Sequence, residues 1–369
     1  MKQRPSPSVA QYRGGRQRGA ALLAAMLTVT LVATFAAAAL WQQWRAVEVE
    51  TAERARIQSS WVLIGALDWS RLILREDARA AQTNGGSGAD YLSEPWAVPL
   101  AEAKLSSFLS ADKNVASDAM EGLPEAYLSG AIVDAQSKLN VRNMVKNGAP
   151  VLESVNAFKK LFAYLGLPAQ ELALLQANLL LALPASATPP VQPGQPGAST
   201  GVGTGTPAPA PAPAAPQPAA EVSETAPLMP QRTSQLVWLG LSPSTVTALE
   251  PYVTVLPDTT TLNLNTASPE AIYAAHPTLD IAAAKQLVAT RTLSHFPTVP
   301  DASKAMNGIA FSSTAFSVAT NYFEVYGRLR LDHLWVEEQS LLYRNGTTVS
   351  IIWRERGAGA TMPLPKPAS

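Results

Sequence analysis

Residues 18–41 read RGAALLAAMLTVTLVATFAAAALW, and no charged residue lies between Arg18 and Arg45. A helix needs about 20 apolar residues to cross the hydrocarbon core of a bilayer, and Ala20 to Trp41 supplies 22. The basic residues before this run are Lys2, Arg4, Arg13, Arg16 and Arg18. Because basic residues beside a spanning helix stay in the cytoplasm, the sequence predicts a single-pass membrane protein with a cytoplasmic N-terminus and an exported bulk.

Three interpretations of this segment compete. It can be a removable secretory signal with a cleavage region at Ala36–Ala39, a plain membrane anchor, or a pilin-type signal. A pilin-type signal is cut after Gly19 and leaves the apolar run, from Ala20, in the mature chain. Length favours retention, because the apolar part of a secretory signal is normally about 7–15 residues. The helical pattern also continues beyond the run without a proline, so we expect a pilin-type signal and one helix from Ala20 to about Ala81.

Composition narrows the classes of function. The chain has 369 residues, 28 basic and 28 acidic side chains, and no cysteine. A net charge of zero gives no electrostatic case for nucleic acid as a partner. Without cysteine, an exported chain must be stabilised by packing or bound ions, since disulfides are excluded. The histidines His276, His295 and His333 show no metal-binding or catalytic spacing, so we expect each to be exposed or to act as a cap, and we predict no enzyme.

A proline- and alanine-rich stretch divides the exported part. Residues 184–230 hold 13 of the 30 prolines and few bulky apolar residues, so this stretch cannot form a core. The predicted segments are a basic leader (1–19), a transmembrane helix (20–41), its periplasmic continuation (42–81), the first half of a helical domain (82–183), a disordered linker (184–232), the second half of the helical domain (233–310), a C-terminal antiparallel sheet (311–356) and a disordered tail (357–369).

Local patterns predict the elements within these segments. A glycine-rich break at 84–88 ends the long helix, and helical patterns dominate after Pro95. The expected helices are 153–165, 168–183, 244–250, 269–275 and 281–290. Alternating apolar and polar residues predict a strand at 323–331, followed by strands at 334–343 and 347–356. The dipeptide Asn345-Gly346 between the last two is typical of a β-hairpin.

Four motifs carry a resemblance to a known family. They are the junction Arg18-Gly19-Ala20-Ala21-Leu22-Leu23; the stretch Glu94-Pro95-Trp96-Ala97; the segment 134–143, which contains Asp134, Asn140 and Asn143; and Leu262-Asn263-Leu264-Asn265-Thr266-Ala267, followed by two helices that end at Arg291. In this order and spacing they resemble the K-type minor pseudopilins of bacterial type II secretion systems, the GspK family. The long Pro-Ala insertion and the lack of cysteine depart from the family pattern.

The resemblance implies an α+β, pilin-like fold: a long N-terminal transmembrane helix, a C-terminal antiparallel sheet and a large inserted α-helical domain. It implies a structural subunit at the tip of the type II secretion pseudopilus, which supports protein export across the outer membrane. Such a subunit is a single-pass protein of the bacterial inner membrane with its bulk in the periplasm. The implied partners are the I- and J-type minor pseudopilins, the pre-pilin peptidase and secreted cargo, but no nucleic acid.

The family's processing can be carried over to the N-terminal junction. The pre-pilin peptidase cuts after the glycine, here Gly19, and methylates the new first residue, here Ala20. Major subunits of pilin-like filaments carry a glutamate at the fifth mature position, which is thought to pair with the N-terminal amine of a neighbour; here that position is Ala24. A subunit with no neighbour above it has no such amine, and an unpaired carboxylate in lipid is costly. Ala24 therefore fits a terminal subunit.

Calcium is also associated with this family. It is a hard cation that takes six to eight oxygen ligands from carboxylates and carbonyls, and a bound ion would suit an exported chain without disulfides. The sequence contains no contiguous Asp-rich loop of the EF-hand type. The scattered candidates for ligands are Asp134, Asp301, Glu324 and Asp332, and they assign no site.

Two other functions remain open at the level of sequence. The first is a minor pilin of a type IV pilus, which should have a smaller exported part and usually the fifth-position glutamate. The second is a membrane-anchored DNA-binding protein, because residues 263–291 resemble a helix-hairpin-helix. That motif binds phosphate through backbone amides of a glycine-containing turn. The turn here, residues 276–280, has no glycine, contains Pro277 without an amide, and ends in Asp280, which repels phosphate.

We therefore expect this hairpin to be structural. Asn265 and Thr266 precede Pro269, which stands where a helix can begin, and short polar side chains there commonly act as turn or N-cap groups. A secreted enzyme is a further alternative, but the sequence offers no set of catalytic groups for it.

Overall fold

The computed structural model describes residues 18–83, 88–105, 125–183, 226–331 and 334–358. The predicted leader, linker and tail lie mostly outside these ranges. The chain forms two compact units, Met1–Trp61 and Val62–Ser369. The described part of the first unit is helical, and its side chains are mostly exposed. The limits of the domains predicted above remain a prediction.

The α-helices in the described residues include one very long helix and several short ones. They are α1 (Arg18–Thr83), α2 (Leu152–Leu165), α3 (Ala169–Ala182), α4 (Pro243–Leu249), α5 (Pro269–Ala275), α6 (Ile281–Leu293) and α7 (Val299–Ala305). Short 3-10 helices lie at Pro95–Ala97, Ala135–Ser137, Val141–Met144 and Thr233–Leu239. The expected long helix and the five shorter helices predicted from sequence are therefore present, with ends that differ by at most three residues.

The long helix contains the apolar run that was expected to cross a membrane. Within Ala20–Gln82 the most apolar stretch of 18 residues has a mean hydropathy of 2.2, and its side chains are exposed in the structure. A helix of this length and composition can anchor the chain in a membrane.

The strands comprise four long or medium strands, a short edge strand and several two-residue bridges. They are β1 (Leu100–Lys104), β2 (Ala126–Asp134), β3 (Leu139–Asn140), β4 (Val145–Lys146), β5 (Ala149–Pro150), β6 (Val253–Thr254), β7 (Leu262–Asn263), β8 (Phe316–Ser317), β9 (Tyr322–Leu331), β10 (Leu334–Asn345) and β11 (Thr348–Ala358). Five of them form one antiparallel sheet in the order β1-β2-β9-β10-β11.

The predicted C-terminal strands are confirmed as β9, β10 and β11. The hairpin between β10 and β11 turns at Asn345-Gly346, where Asn345 pairs with Thr348 and Gly346 adopts a φ of 55°. The prediction that helical patterns dominate after Pro95 was wrong for β1 and β2, which join the same sheet. Strand β2 is buried or half-buried along its whole length, and such a run lacks the alternation that marks a half-exposed strand.

One stripe of α1 within the second unit packs on this sheet. Leu63, Leu67 and Leu74 are buried at helical spacing, and Leu67 and Leu74 join a core with Trp96 and Phe323. The sheet therefore carries the helix on one face, as in a pilin-like fold.

The helical domain lies between β2 and β9 in the chain. Its core combines residues from both sides of the proline-rich stretch, such as Phe158 and Leu175 from the first half and Leu249 and Ile272 from the second. The two halves thus form one core, and the α+β fold class predicted from sequence is confirmed.

Candidate functional site: a buried polar junction

Asp134 is the centre of a buried polar network at the end of β2. Its Oδ1 accepts from the Gln136 backbone N–H at 2.7 Å. Its Oδ2 accepts from Asn263 Nδ2 at 2.9 Å and from the Thr266 hydroxyl at 2.5 Å. Burial raises the pKa of Asp134, and these donors partly oppose that rise by stabilising the carboxylate. The carboxylate thereby joins the end of a sheet strand to the second half of the helical domain.

Asn263 extends this network toward the end of the long helix. Its Nδ2 also donates to the backbone oxygen of Asp90 at 3.1 Å, and its Oδ1 accepts from the Asn265 N–H at 3.0 Å. Asn263 is fully buried, so an apolar residue in its place would leave several polar groups without partners. A buried polar group without a partner is costly, which explains why an amide is needed here.

Arg344 forms the next part of the junction. Its Nη1 donates to Asp77 Oδ2 of α1 at 2.7 Å, and its Nη2 donates to Asp90 Oδ1 and to the Thr320 carbonyl oxygen. The guanidinium carbon lies 4.7 Å from the ring centre of Phe323. Burial lowers the pKa of Arg344, but the two carboxylates outweigh burial and raise it above its usual value. Helix α1, strand β10 and the loop at Asp90 are therefore tied by one cation.

Glu94 and Trp96 complete this region. Glu94 Oε2 accepts from the Tyr91 N–H at 2.9 Å and from Trp96 Nε1 at 2.7 Å. Trp96 is buried and packs edge-on to Phe323, with ring centres 5.2 Å apart. Burial raises the pKa of Glu94 to about 7, and that of Asp90 to about 6. The acidic residue of this motif therefore orients the indole that fills the core between α1 and the sheet.

Asn140 and Asn143 hold a second connection between the two halves of the helical domain. Asn140 Nδ2 donates to the Asp258 carbonyl oxygen at 2.7 Å, and its Oδ1 accepts from the Leu256 N–H at 3.2 Å. Asn143 exchanges two hydrogen bonds with the backbone of Thr260, at 2.6 and 3.0 Å. The side-chain amides of Asn140 and Asn143 thus supply hydrogen-bond partners for the backbone of residues 256–260, the segment that leads into β7.

The remaining residues of the fourth motif fix the hairpin of α5 and α6. Asn265 exchanges two hydrogen bonds with the Phe296 backbone, at 2.9 and 3.0 Å. Arg291 Nη1 donates to the Leu264 carbonyl oxygen at 2.6 Å, and burial lowers the pKa of Arg291 to about 10. Ala267 is completely buried in the core of the helical domain.

The amides of the hairpin turn face inward. His276 Nδ1 accepts from the N–H groups of Thr278 and Leu279, at 3.3 and 3.0 Å. Lys160 Nζ of α2 binds the carbonyl oxygens of Tyr273 and His276, at 2.8 and 2.7 Å. The turn is therefore closed by its own side chains, and these amides are not directed at a phosphate.

Some expectations about single residues need correction. Asn265 and Thr266 lie in the turn between β7 and α5, which is one of the two roles expected for them. They are not N-cap groups of α5; the N-cap is Ser268, whose hydroxyl accepts from the Ala271 N–H. His276 caps the hairpin turn as a buried residue, and His295 stacks on Tyr91 with ring centres 3.8 Å apart. His333 lies outside the described residues.

The N-terminal motif lies at the start of α1. Gly19 and Ala20 stand within its first turn, and Ala24 is exposed on it. The roles predicted for Gly19, Ala20 and Ala24 remain predictions.

The scattered acidic residues proposed as calcium ligands serve other purposes. Asp134 is saturated by the donors described above. Asp301 pairs with Thr298 and Lys304 in the first turn of α7, and Glu324 lies beside Lys138 and Tyr326. Asp332 lies outside the described residues. Within the described residues, Asp134, Asp301 and Glu324 are not brought together.

The structure brings a different group of acidic residues together. Asp77, Asp90 and Glu94 each offer an oxygen within 4.8 Å of the others. This group does not fit a calcium ion, because Arg344 already lies against Asp77 and Asp90. In addition, Asp90 Oδ2 accepts from the Thr320 N–H at 2.7 Å, and Glu94 Oε2 is taken by two N–H groups. Calcium requires six to eight free oxygen ligands.

Sequence reasoning identified the motif residues but missed their partners. Asp77, Asp90, Thr320 and Arg344 belong to none of the four motifs. The Asp77–Arg344 pair spans 267 positions in sequence, so no local pattern could have indicated it. The charge of Arg344, directly after the strand predicted at 334–343, was an available signal.

These features define a class of protein: a membrane-anchored, pilin-like scaffold whose helical domain is fastened by buried polar residues. Two sequence models described as "Type II secretion system (T2SS), protein K" match residues 137–258 and 262–323. The type II secretion system protein K of Pseudomonas aeruginosa is 27% identical over 353 residues, which cover 95% of each chain. One chain of the crystal structure of the GspK-GspI-GspJ complex from enterotoxigenic Escherichia coli has the same fold, with a TM-score of 0.54 and 17% identity, over 83% of this chain and 98% of that one.

The chain belongs to the type II secretion system protein K family. It is a minor pseudopilin of a type II secretion system, a structural subunit that is anchored in a membrane through α1. The resemblance drawn from the four motifs is confirmed.

Proposed function

We propose that this chain is the subunit at the tip of a type II secretion pseudopilus and supports the export of proteins across the outer membrane. The observation that carries this proposal is the helical domain inserted between β2 and β9. Its bulk beside the pilin-like sheet would obstruct the addition of a further subunit above it. Ala24, in place of a fifth-position glutamate, supports the same position, because a terminal subunit has no neighbouring amine to neutralise.

The topology follows from the charges at the start of the chain. The chain crosses the bacterial inner membrane once, with the basic leader in the cytoplasm and the bulk in the periplasm. The pre-pilin peptidase cuts between Gly19 and Ala20 and methylates Ala20. The role is structural and not catalytic, because the polar clusters described above are saturated by internal hydrogen bonds and build the fold.

The partners are other minor pseudopilins of the I and J types. The structurally similar chain comes from a complex of GspK with GspI and GspJ, and the apolar face of a long N-terminal helix is suited to packing with similar helices. Secreted cargo is a further partner of a tip subunit. Co-purification of the full-length chain with the I- and J-type subunits of its own organism tests this; recovery of neither subunit would contradict it.

Mass spectrometry of the mature N-terminus tests the processing. We expect a chain that begins with methylated Ala20. The variant Gly19→Leu should keep the leader, because the residue before the cleaved bond is changed. The matched control Gly15→Leu changes another leader glycine and should be processed normally. A normally processed Gly19→Leu chain, or a mature chain that begins beyond Ala39, would refute a pilin-type signal.

The two rival functions are less well supported. A minor pilin of a type IV pilus would not require the large inserted domain. A DNA-binding protein would need hairpin amides that face outward, whereas those of Thr278 and Leu279 bind His276. Tight and salt-sensitive binding of DNA by the purified chain would overturn this view.

A further inference from the structure

We propose that the Arg344 guanidinium is the built-in cation of the acidic group formed by Asp77, Asp90 and Glu94, where it takes the place that a divalent metal ion would otherwise fill. This proposal concerns the junction between α1, the loop after it and β10. It does not depend on the position of the subunit at the pseudopilus tip.

The acidic group requires a positive partner. The three carboxylates approach within 4.8 Å of one another, and like charges at this distance disfavour one another in a partly buried setting. Arg344 is 8% exposed and Asp90 only 2%. Removing one member of a buried ion pair leaves an uncompensated charge and is strongly destabilising. The stability of this acidic group in the folded chain therefore depends on Arg344, the cation that bonds to it.

The geometry favours a guanidinium group over a metal ion. Arg344 contacts Asp77, Asp90 and the Thr320 carbonyl oxygen through separate N–H groups, which uses the planar, forked donor arrangement of arginine. Its guanidinium carbon lies over the ring of Phe323, 4.7 Å from the ring centre. This contact adds a cation–π interaction to the hydrogen bonds. The connection of α1 to the sheet is thus made by the chain itself and does not need an ion from the medium.

Removal of Arg344 should convert the group into a metal site. Asp77 Oδ2, Asp90 Oδ1 and the Thr320 carbonyl oxygen would lose the donor that occupies them, and carboxylate and carbonyl oxygens are the ligands that calcium prefers. A metal ion that binds only the folded chain stabilises it by mass action. The proposal therefore predicts that calcium rescues a variant that lacks Arg344, but not a variant that keeps a cation at this position.

Thermal unfolding of the full-length chain in detergent micelles tests this prediction, with the chelator EGTA or with millimolar calcium. The calcium-induced shift in Tm of the unaltered chain includes any ion bound elsewhere and serves as the baseline. Arg344→Gln should lower Tm in EGTA by roughly 5–15 °C, and its calcium shift should exceed the baseline by several degrees. Arg344→Lys, which keeps a cation, should show only the baseline shift. The double variant Arg344→Gln, Asp90→Asn should lose the extra shift.

Terbium luminescence gives a second readout at the same place. Trp96 Nε1 lies 2.7 Å from Glu94, so a terbium ion in the acidic group would be close enough to be excited through this indole. Emission should be stronger in Arg344→Gln than in the unaltered chain and should fall again in the double variant. A calcium shift of Arg344→Gln no larger than the baseline would overturn the proposal.

If Arg344→Gln cannot be recovered in a folded state, a single variant that retains Arg344 tests the proposal instead. Asp90→Asn removes one carboxylate of the group and leaves the guanidinium in place. The proposal expects its calcium shift to equal the baseline. A smaller shift would mean that the group binds calcium beside Arg344, and the proposal would be wrong.

Discussion

At the scale of single residues, hydrogen bonds between buried polar side chains connect parts of this chain that lie far apart in sequence. Asp134, Asn263 and Thr266 are each less than 5% exposed, and the Asp134 carboxylate accepts hydrogen bonds from the side chains of the other two. In a low-dielectric interior such a network is strong when complete and costly when one member is missing. The presence of these three residues in the motifs is therefore explained by their contribution to the stability of the fold, without any catalytic role.

Truncation of Asp134 should reveal this dependence. Asp134→Ala leaves the Thr266 hydroxyl without its acceptor and deprives Asn263 Nδ2 of one, so we expect the free energy of unfolding to fall by about 2–4 kcal/mol. Asp134→Asn is the matched control, because it keeps one acceptor oxygen and the same shape, and it should lose less. Chemical unfolding followed by tryptophan fluorescence measures both. Equal stability of Asp134→Ala and the unaltered chain would contradict the structural role.

Glu94 should make stability depend on pH. Its pKa in the folded chain is raised to about 7 from an ordinary value of 4.5, first because of burial. A carboxyl whose pKa is higher in the folded state binds a proton more tightly there, so its protonation stabilises the fold. Stability should therefore rise as pH falls from about 8 through 7 toward 4.5. Asp90, with a pKa raised to about 6, acts in the same direction.

The variant Glu94→Gln isolates this contribution. Glutamine keeps a side chain that can accept from Trp96 but does not titrate. The rise in Tm between pH 8 and pH 5 should be smaller in this variant than in the unaltered chain, and the two should differ most above pH 7. Parallel pH profiles for the two chains would show that Glu94 is not the titrating group.

At the scale of elements, periodicity predicted the helices well and the sheet only in part. The sequence of β9 alternates in polarity, and β10 and β11 are joined by an Asn-Gly turn, so the C-terminal strands could be recognised. Strand β2 lies between β1 and β9 and is covered along its length. Burial along the strand removes the period of two, and β2 is defined as a strand by its pairing with β1 and with β9, which follows almost 200 residues later.

Two facing glycines of the sheet lie where neighbouring atoms leave little room for a side chain. Gly130 of β2 pairs with Gly327 of β9. A Cβ atom at Gly327 would lie 3.3 Å from Leu63 Cδ2, whereas one at Gly130 would lie 2.8 Å from the Tyr326 backbone oxygen. A flexible side-chain end can move, but a paired carbonyl cannot. Gly130→Ala should therefore destabilise by about 1–3 kcal/mol and Gly327→Ala by less than about 1 kcal/mol.

Thermal unfolding of the two alanine variants side by side checks this order. They place the same methyl group on opposite members of one residue pair, so each serves as the control of the other. If Gly327→Ala were the more damaging change, the side chain of Leu63 would have to be rigid, and the close contact of helix and sheet would be the stricter constraint.

At the scale of the whole molecule, the chain separates the two halves of its helical domain by a long proline-rich stretch and then reunites them. Asn140 and Asn143 bind the segment at 256–260, and apolar residues of both halves share one core. The order of the motifs in the sequence predicted the family. The individual contacts that join the two halves were not predictable, because they span more than a hundred positions and leave no periodic trace.

The position of the subunit in the filament can be tested at Ala24. In a subunit with a neighbour above it, a glutamate at this place would pair with that neighbour's N-terminal amine. In a terminal subunit the same glutamate would be an unpaired charge in lipid and would cost several kcal/mol. Ala24→Glu should therefore impair assembly, whereas the uncharged control Ala24→Gln should be tolerated better, since an amide costs less to bury than an ion.

Secretion of a type II substrate measures both variants, each supplied as the sole copy of the protein in its own organism. We expect the amount of secreted substrate to fall further with Ala24→Glu than with Ala24→Gln, at equal levels of the processed chain. Equal levels matter because cleavage at Gly19 must not differ between the variants. If Ala24→Glu secretes as well as the unaltered chain, an amine must neutralise the carboxylate. The subunit would then lie below another one, and its place at the tip would be refuted.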